Sequence, residues 1–428
     1  MKSLWSVAFL VLLANSVYLY PADGNICYKG YKVYKLQIQN AEQRAFLLDF
    51  AKSNGSKISI WQEDTMTMDV LVDPQMQIHF KNYIQAKNID SREMISDLQS
   101  LIDEENGQGA TKSDEFSWTR YHELEDIYKF LDDMLSKYPL VTEAFTIAQS
   151  YEGQIVRGIK ISFKSGNPGI FIESNIHARE WITSATATWF IYELLTSHDL
   201  EVRNLAENYD WYIVPVLNVD GFIYSHKKDR LWRKTRQPVA HSDCIGTDGN
   251  RNFDSLWMVN GASSNPCDQD YAGPAANSEP EIKGESEFLL ANKDKLNILL
   301  AFHSYSQMLL SPYGHSRDEV PPNFDDLMQV AEAYAKAVGS LHYESQYTYG
   351  TSGGAMYLAP GATLDFAYNE ADIQITYTIE MRDTGRHGFV LPPAHILPNC
   401  AETMAGIVAL VKEADRLGYM QPKYRAIN

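Results

Sequence analysis

The chain has 428 residues, of which 45% are hydrophobic and 12% aromatic, and its formal net charge is −18. This apolar content excludes a disordered chain, and the length allows two or three domains. The acidic charge argues against a nucleic-acid partner, because phosphates would repel such a surface, and it is typical of a soluble extracellular protein.

Residues 1–16 have the three parts of a secretory signal peptide. Lys2 supplies a positive charge, Trp5 to Ala14 is an apolar run, and Ala14-Asn15-Ser16 offers small residues for cleavage. The run is too short to cross a bilayer. We expect no later segment to be long and apolar enough to form a membrane helix. We therefore expect a secreted protein, acting outside cells or in a digestive lumen, without a membrane partner.

The next part of the chain alternates between strand and helix patterns. Apolar spacing predicts strands at 31–38, 58–61, 66–72 and 89–95 and helices at 41–51 and 75–86. This β-α-β-β-α-β order can form a small open sandwich by itself. An amphipathic helix from residue 97 then leads into a polar linker that contains Lys112, which is either a protease target or a plain solvated lysine.

From residue 118 onward, apolar strands alternate with helices. The strands are predicted at 158–163, 169–176, 209–216, 296–303 and 373–380. The helices are predicted at 121–138, 182–196, 279–291, 323–339 and 397–417. Continuous apolar strands between helices indicate an α/β domain whose sheet is covered on both faces.

Four cysteines follow the signal peptide, and cysteines pair in an oxidising compartment. Cys244 and Cys267 lie close in sequence and are the natural candidates for a disulfide. For Cys27 and Cys400 two interpretations stay open, a bond between them or a free and buried Cys400.

His177 and Glu180 form a His-x-x-Glu pair, which can place an imidazole nitrogen and a carboxylate on one zinc ion. The same spacing starts at His122 and at His198, so the pair alone is weak. We expect His122 on the polar side of a surface helix and His198 in a polar stretch, whereas His177 ends a buried strand. Ligands collect beyond the carboxyl ends of strands in open α/β sheets, which favours His177.

Two further strand ends carry residues of suitable chemistry. His303 ends the run NILLAFH and would be the third ligand, leaving one position open for water. A lone histidine there is more often structural, so this interpretation depends on His177. Glu380 ends the run ITYTIE, where a carboxylate needs a partner or a function. It is either held by a local salt bridge to Arg382 or acts as a general base.

Arginines gather in two short runs, DRLWRKTR with Arg230, Arg233 and Arg236, and GNRNFD with Arg251. The planar guanidinium group suits a carboxylate or an oxyanion. The alternative for the first run is a solvated basic loop.

From Tyr31 to Leu417 the sequence resembles the zinc carboxypeptidase family of the A and B type. The runs that carry the resemblance stand in the order of the family: HAREW, LWRKTR, CxGxDxNRNxD from Cys244 to Asp254, HSYSQ, DFAY and the E-x-R-D-T-G run at Glu380. The resemblance implies an inhibitory pro-segment at 17–112, which a trypsin-like protease removes, and a catalytic domain at 113–428. Both follow the signal peptide that residues 1–16 predict. The resemblance also implies an α/β fold with a mixed, mostly parallel sheet.

The resemblance further implies one zinc ion per catalytic domain, bound by His177, Glu180 and His303. Glu380 would act as base and then as acid, and Arg233 would stabilise the oxyanion. Substrate binding is assigned to four residues: Asn250, Arg251 and Tyr357 at the terminal carboxylate and Arg179 along the cleft. The substrates would be the C-termini of peptides or proteins.

Leu364 stands immediately before the aspartate of DFAY. In the family this position lies at the floor of the pocket for the C-terminal side chain, and it is acidic in enzymes that prefer Lys or Arg. Leucine there predicts an A-type enzyme that releases aliphatic or aromatic residues. One alternative is a B-type enzyme, in which Asp365 would have to face the pocket. The other is a catalytically inactive protein that keeps the fold for binding.

Overall fold

The structure is a computed structural model, and it describes residues 24–107, 115–341 and 345–422. The expected signal peptide and Lys112 lie outside the described residues. Within them the chain forms two sheets, one of four strands and one of eight.

The first sheet is antiparallel, with strand order β2-β3-β1-β4. Its elements are β1 Lys32–Gln37, α1 Ala41–Asn54, β2 Ile58–Glu63, β3 Thr67–Val72, α2 Gln77–Ala86, β4 Ser91–Ile95 and a following helix, α3 Leu98–Glu105. The predicted β-α-β-β-α-β order of this small domain is therefore confirmed.

The two faces of this sheet pack against different partners, because side chains alternate along a strand. Leu36 on one face packs with Leu47 of α1 and Phe80 of α2. Val33, on the opposite face, belongs to a cluster with Phe389 of the second domain. The small sheet therefore lies between its own two helices and the rest of the protein.

The second sheet has strand order β11-β10-β12-β9-β7-β8-β6-β5. Its strands are β5 Thr142–Gln149, β6 Ile155–Ile161, β7 Gly169–Ser174, β8 Asp210–Val214, β9 Leu296–Ser304, β10 Met308–Ser311, β11 Thr348–Thr351 and β12 Ile375–Met381. The four central strands β8, β7, β9 and β12 run parallel to one another, whereas β5, β6 and β10 pair antiparallel with a neighbour. This mixed, mostly parallel sheet confirms the predicted fold class.

Helices cover both faces of the large sheet. They are α4 Leu124–Lys137, α5 Trp181–Thr196, α6 Leu200–Asn208, α7 Val219–Lys227, α8 Pro280–Asn292, α9 Phe324–Gly339, α10 Ser352–Ala355, α11 Thr363–Asn369 and α12 Ile396–Arg416. Every residue of β9 is buried. Leu300 packs in the core on the side of α5, α9 and α12, and Leu299 packs on the side of α7, α8 and α11. Polar side chains of the central strands can therefore act only where the strands end.

The segment Pro393–Arg416, which includes α12, is long and apolar enough to cross a membrane by length and composition. The expectation that no later segment meets this test is therefore wrong. Ile407, Leu410 and Val411 of this helix have no solvent exposure and pack in the core beside α9 and α5. Core packing thus accounts for its apolar character.

Candidate active site

Three adjacent strands end at the same edge of the large sheet. In β7 and β9, Ser174 pairs with Phe302, and in β9 and β12, His303 pairs with Glu380. Because these strands are parallel, the loop after β7 and the last residues of β9 and β12 meet, as the sequence predicts.

Asn175 shapes the turn that follows β7. It has φ of 52°, a left-handed conformation that asparagine tolerates. Its side-chain nitrogen donates to the carbonyl oxygen of Glu180 at 3.0 Å, and its side-chain oxygen accepts from the backbone N–H of Ser184 at 3.2 Å. The turn places Glu180 at the N-cap of α5, where the helix dipole stabilises a carboxylate.

His177, Glu180 and His303 are buried, and their ligand atoms all lie within 4.8 Å of one another. Nδ1 of His177 is 2.9 Å from one Glu180 oxygen, and Nδ1 of His303 is 3.2 Å from the other. Two imidazole nitrogens and one carboxylate are the donor set of a catalytic zinc site that keeps an open position. The residues present therefore fit a zinc ion.

Asp248 connects this cluster to Arg233. One of its oxygens lies 3.1 Å from Nε2 of His177, and the other accepts from Nη2 of Arg233 at 2.8 Å. A carboxylate behind a histidine ligand fixes the orientation of the ring. Asp248 was not among the predicted site residues, although it lies in the CxGxDxNRNxD run, which is the signal that could have found it.

Burial lowers the pKa of His177, with help from Arg233, and so favours the neutral imidazole that a metal requires. Burial would raise the pKa of Glu180, but the two histidines outweigh it and hold this pKa below its ordinary value. Burial opposes a charge on His303, yet Glu180 raises its pKa to about 9, so a proton competes with a metal for this ring. Burial raises the pKa of Glu380 to about 8, against the opposing effect of His303.

The salt bridge that the sequence offered as an alternative for Glu380 is made elsewhere. Nε of Arg382 donates to Glu402 at 2.7 Å, and Nη2 donates to Ser345 at 3.0 Å. Glu380 is buried one strand away from His303. The carboxylate thus lies beside the cluster, where a base is required.

The residues assigned to the substrate carboxylate also lie together. Arg251 is buried, and its guanidinium carbon is 5.4 Å from the ring centroid of Tyr357. Its Nε has no hydrogen-bond partner among the described residues, as expected for a group that awaits a ligand. The side-chain oxygen of Asn250 accepts from the backbone N–H of Thr363, the residue before Leu364, at 3.0 Å.

Arg179, the residue assigned to the cleft, is buried. Its guanidinium stacks on Phe389 at 3.9 Å from the ring centroid, and its Nε has no partner among the described residues. Burial lowers the pKa of Arg179 to about 10, with help from Arg233.

Asp365 has no solvent exposure, and both of its oxygens are engaged inside the protein. One accepts from the backbone N–H of Gly314 at 2.9 Å. The other accepts from the backbone N–H of His315 and lies equally far, 3.0 Å, from its Nδ1. This carboxylate is therefore occupied by contacts with the loop after β10.

The small N-terminal domain contacts the rim of the site. Glu105 and Arg230 form a buried ion pair, with Nε and Nη2 donating at 2.5 and 2.8 Å. The Tyr305 hydroxyl donates to Asp69 at 2.7 Å, and the Trp61 and Phe389 ring centroids are 5.2 Å apart. None of these contacts across the two domains was predicted from the sequence.

The other two His-x-x-Glu histidines lie apart from the cluster. His198 is exposed. His122 is buried ahead of α4, where it stacks on Phe116 with 3.9 Å between ring centroids and binds the carbonyl oxygen of Ser117 at 2.7 Å. The expectation that His122 lies on the polar side of a surface helix is therefore wrong.

The predicted disulfide between Cys244 and Cys267 is confirmed, with 5.1 Å between the Cα atoms. It closes the loop between the two cysteines, which carries Asp248, Asn250 and Arg251. Cys27 is free and exposed, and Cys400 is free and buried.

Comparisons with known proteins agree with this geometry. A family model described as zinc carboxypeptidase matches residues 127–406, and one described as carboxypeptidase activation peptide matches residues 34–105. A zinc carboxypeptidase of Simulium vittatum is 48% identical over 301 residues, which are 70% of this chain and 98% of that protein. Carboxypeptidase A1 of Homo sapiens is 35% identical over 416 residues, which are 94% of this chain and 98% of that protein. The crystal structure of thrombin activatable fibrinolysis inhibitor superposes with a TM-score of 0.82 at 31% identity. The superposition covers 90% of this chain and 98% of that one.

Proposed function

The chain belongs to the zinc carboxypeptidase family, and from this premise we propose that it is a secreted A-type enzyme. It carries the activation peptide of a zymogen and hydrolyses C-terminal peptide bonds. The proposal adds a signal peptide at 1–16, a pro-segment at 17–112, a catalytic domain at 113–428 with one zinc ion, and activation by a trypsin-like protease.

One observation carries the proposal. His177, Glu180 and His303 lie within 4.8 Å of one another, and Glu380 lies one strand away. The Nε of Arg251, which has no hydrogen-bond partner within the described part of the chain, fits a free terminal carboxylate. A metal donor set beside a carboxylate receptor supports cleavage at chain ends.

In the proposed mechanism, Arg251, Asn250 and Tyr357 hold the terminal carboxylate of the peptide. A bound zinc ion would supply a Lewis acid that polarises the scissile carbonyl and makes water more acidic. Glu380 takes the proton from the attacking water and later gives it to the leaving amine. Arg233, which Asp248 holds in place, donates to the oxygen on which negative charge develops.

We expect a strong preference for C-terminal Phe, Tyr, Leu or Met over Lys and Arg. Asp365 is occupied by the loop after β10, so a C-terminal lysine against Leu364 would lose water without gaining a counter-charge. That loss is worth several kcal/mol, whereas an apolar side chain gains about 25 cal/mol per Å² buried. We expect a selectivity of at least roughly a hundredfold in kcat/KM, measured with blocked dipeptides ending in Phe, Leu, Lys, Arg and Glu.

The Leu364→Asp variant tests the same pocket from the other direction. It should shift the preference toward basic ends, whereas Leu364→Ile, which changes shape but not charge, should keep the apolar preference. A preference of the unaltered enzyme for Lys or Arg would show that Asp365 reaches the pocket, which is the B-type alternative.

We expect the uncut chain to be inactive and cleavage in the linker, most simply after Lys112, to release activity. The pro-segment is held by the buried Glu105–Arg230 pair and by packing of Trp61 on Phe389 at the rim of the site. N-terminal sequencing and turnover are measured together during limited trypsin digestion. Lys112→Gln is the matched variant, since it removes the basic residue and keeps Glu105, Arg230, Trp61 and Phe389. Full activity of the uncut chain would contradict this proposal.

A further inference from the structure

The carboxylate of Asp365 is occupied inside the protein, and its contacts have a structural role. This side chain is fully buried and accepts from the backbone N–H groups of Gly314 and His315 at 2.9 and 3.0 Å. Nδ1 of His315 is a third neighbour, at 3.0 Å. Because a buried carboxylate without donors is costly, these contacts fix the residues around it. We call residues 313–315 the anchoring turn.

The anchoring turn holds both ends of residues 353–359, which we call the tyrosine segment because it contains Tyr357. The backbone N–H of Gly353 donates to the carbonyl oxygen of Tyr313 at 2.9 Å, and that of Ala359 donates to Gly314 at 2.8 Å. The packing is tight, since a Cβ added at Gly353 would lie 2.1 Å from the carbonyl oxygen of Ser316. The position of the segment therefore follows from that of the turn.

Tyr357 is the residue of this segment that reaches the site, with its ring centroid 5.4 Å from the Arg251 guanidinium. We propose that Asp365 is a positioning residue for substrate binding, which fixes the anchoring turn and, through it, the tyrosine segment. The inference deepens the proposed function and rests on it, because Tyr357 matters only if a terminal carboxylate binds beside Arg251.

Asp365→Asn keeps the size of the side chain but replaces one acceptor oxygen with a donor that faces backbone N–H groups. The anchoring turn then loses part of its support, and Tyr357 is no longer held ready for the substrate. Glu380 and the three metal-site residues lie on other elements. We therefore expect KM for a blocked dipeptide ending in Phe to rise roughly tenfold or more, with kcat within about threefold of the unaltered enzyme.

His315 offers a rescue experiment. His315→Ala removes one of the three contacts and should raise KM by roughly threefold. His315→Asn places an amide nitrogen where Nδ1 was and should bring KM back toward the original value. Recovery by the conservative substitution is specific to the hydrogen bond and is not expected from a general loss of packing.

Asp220→Asn is the matched control. Asp220 is also fully buried, and it accepts from the Ser150 hydroxyl at 2.6 Å and the Glu152 backbone N–H at 2.8 Å, in the turn between β5 and β6. This variant should lower the melting temperature, as we also expect of Asp365→Asn, but should leave KM unchanged. All variants are made in the full chain, activated with trypsin and assayed for zinc content, melting temperature, KM and kcat.

The outcomes separate the two levels of the proposal. No turnover by the unaltered, activated enzyme would contradict the proposed function. Turnover with a KM of Asp365→Asn within twofold of the unaltered value would overturn the positioning role alone. If Asp365→Asn does not fold, equal KM values for His315→Ala and His315→Asn overturn it.

Discussion

The His303→Ala variant is expected to lose zinc and activity together. His303 supplies one of the three donors that lie within 4.8 Å of one another, and a site of two donors no longer encloses the ion. Loss of an outer partner of a metal ligand already costs roughly 10–100-fold in affinity, so loss of a ligand costs more. Metal content by atomic absorption and turnover of a blocked dipeptide measure the two effects in one preparation.

Two other histidines serve as controls for this prediction. His198 is exposed, so His198→Ala should change neither the metal content nor the melting temperature. His122→Ala should keep its zinc but lower the melting temperature, because His122 stacks on Phe116 and binds Ser117. Normal zinc content in the His303 variant would contradict the ligand assignment.

Glu380→Gln should keep the zinc and lose the activity. The amide has the size of the carboxyl group but cannot accept the proton of the attacking water. General base catalysis contributes roughly 10²–10⁴-fold, and we expect a fall in kcat of that size with KM nearly unchanged. A variant with at least half of the original kcat would exclude Glu380 as the base.

The pH profile gives Glu380 a second signature. A base must be deprotonated, so activity falls as the pH drops through its pKa. Burial raises this pKa from 4.5 to about 8, and the positive charge of a zinc ion lowers it again. We therefore expect kcat/KM to fall on the acid side with a midpoint between about pH 4.5 and pH 8. The residual activity of Glu380→Gln should not show this fall.

The elements that the sequence predicted well are those with a long apolar pattern. The run Leu296–Ser304 is buried throughout, and its apolar pattern predicts β9 almost to the residue. The missed strand Thr142–Gln149 pairs on one side only, and most of its residues are partly or fully exposed, so no apolar run marks it. Two other missed strands, Met308–Ser311 and Thr348–Thr351, are four residues long, too short for a pattern.

His122 shows how local periodicity misleads. The predicted helix at 121–138 begins too early, because α4 starts at Leu124 with Glu123 as its N-cap. The aromatic residues ahead of α4 pack against the core from outside the helix, and there His122 stacks on Phe116.

The candidate site was predicted where chemistry coincides with a strand end, as for His177, His303 and Glu380. Contacts between segments that are distant in the chain have no comparable signal in the sequence. Asp248 is 71 residues from His177 in the chain, and nothing in a single sequence pairs the two. Glu105 and Arg230, which are 125 residues apart, were missed for the same reason.

The pairing of β7 with β9 has a consequence for the order of folding. Glu180 and Ser304 are 124 residues apart in the chain, yet the Ser304 N–H donates to the Glu180 carboxylate at 3.2 Å. Such distant contacts raise the contact order and require a long loop to close before they form. During synthesis, a chain that has emerged only as far as α5 contains the metal-site residues His177 and Glu180 but not His303. We therefore expect metal uptake to report the completion of the central sheet and not to nucleate it.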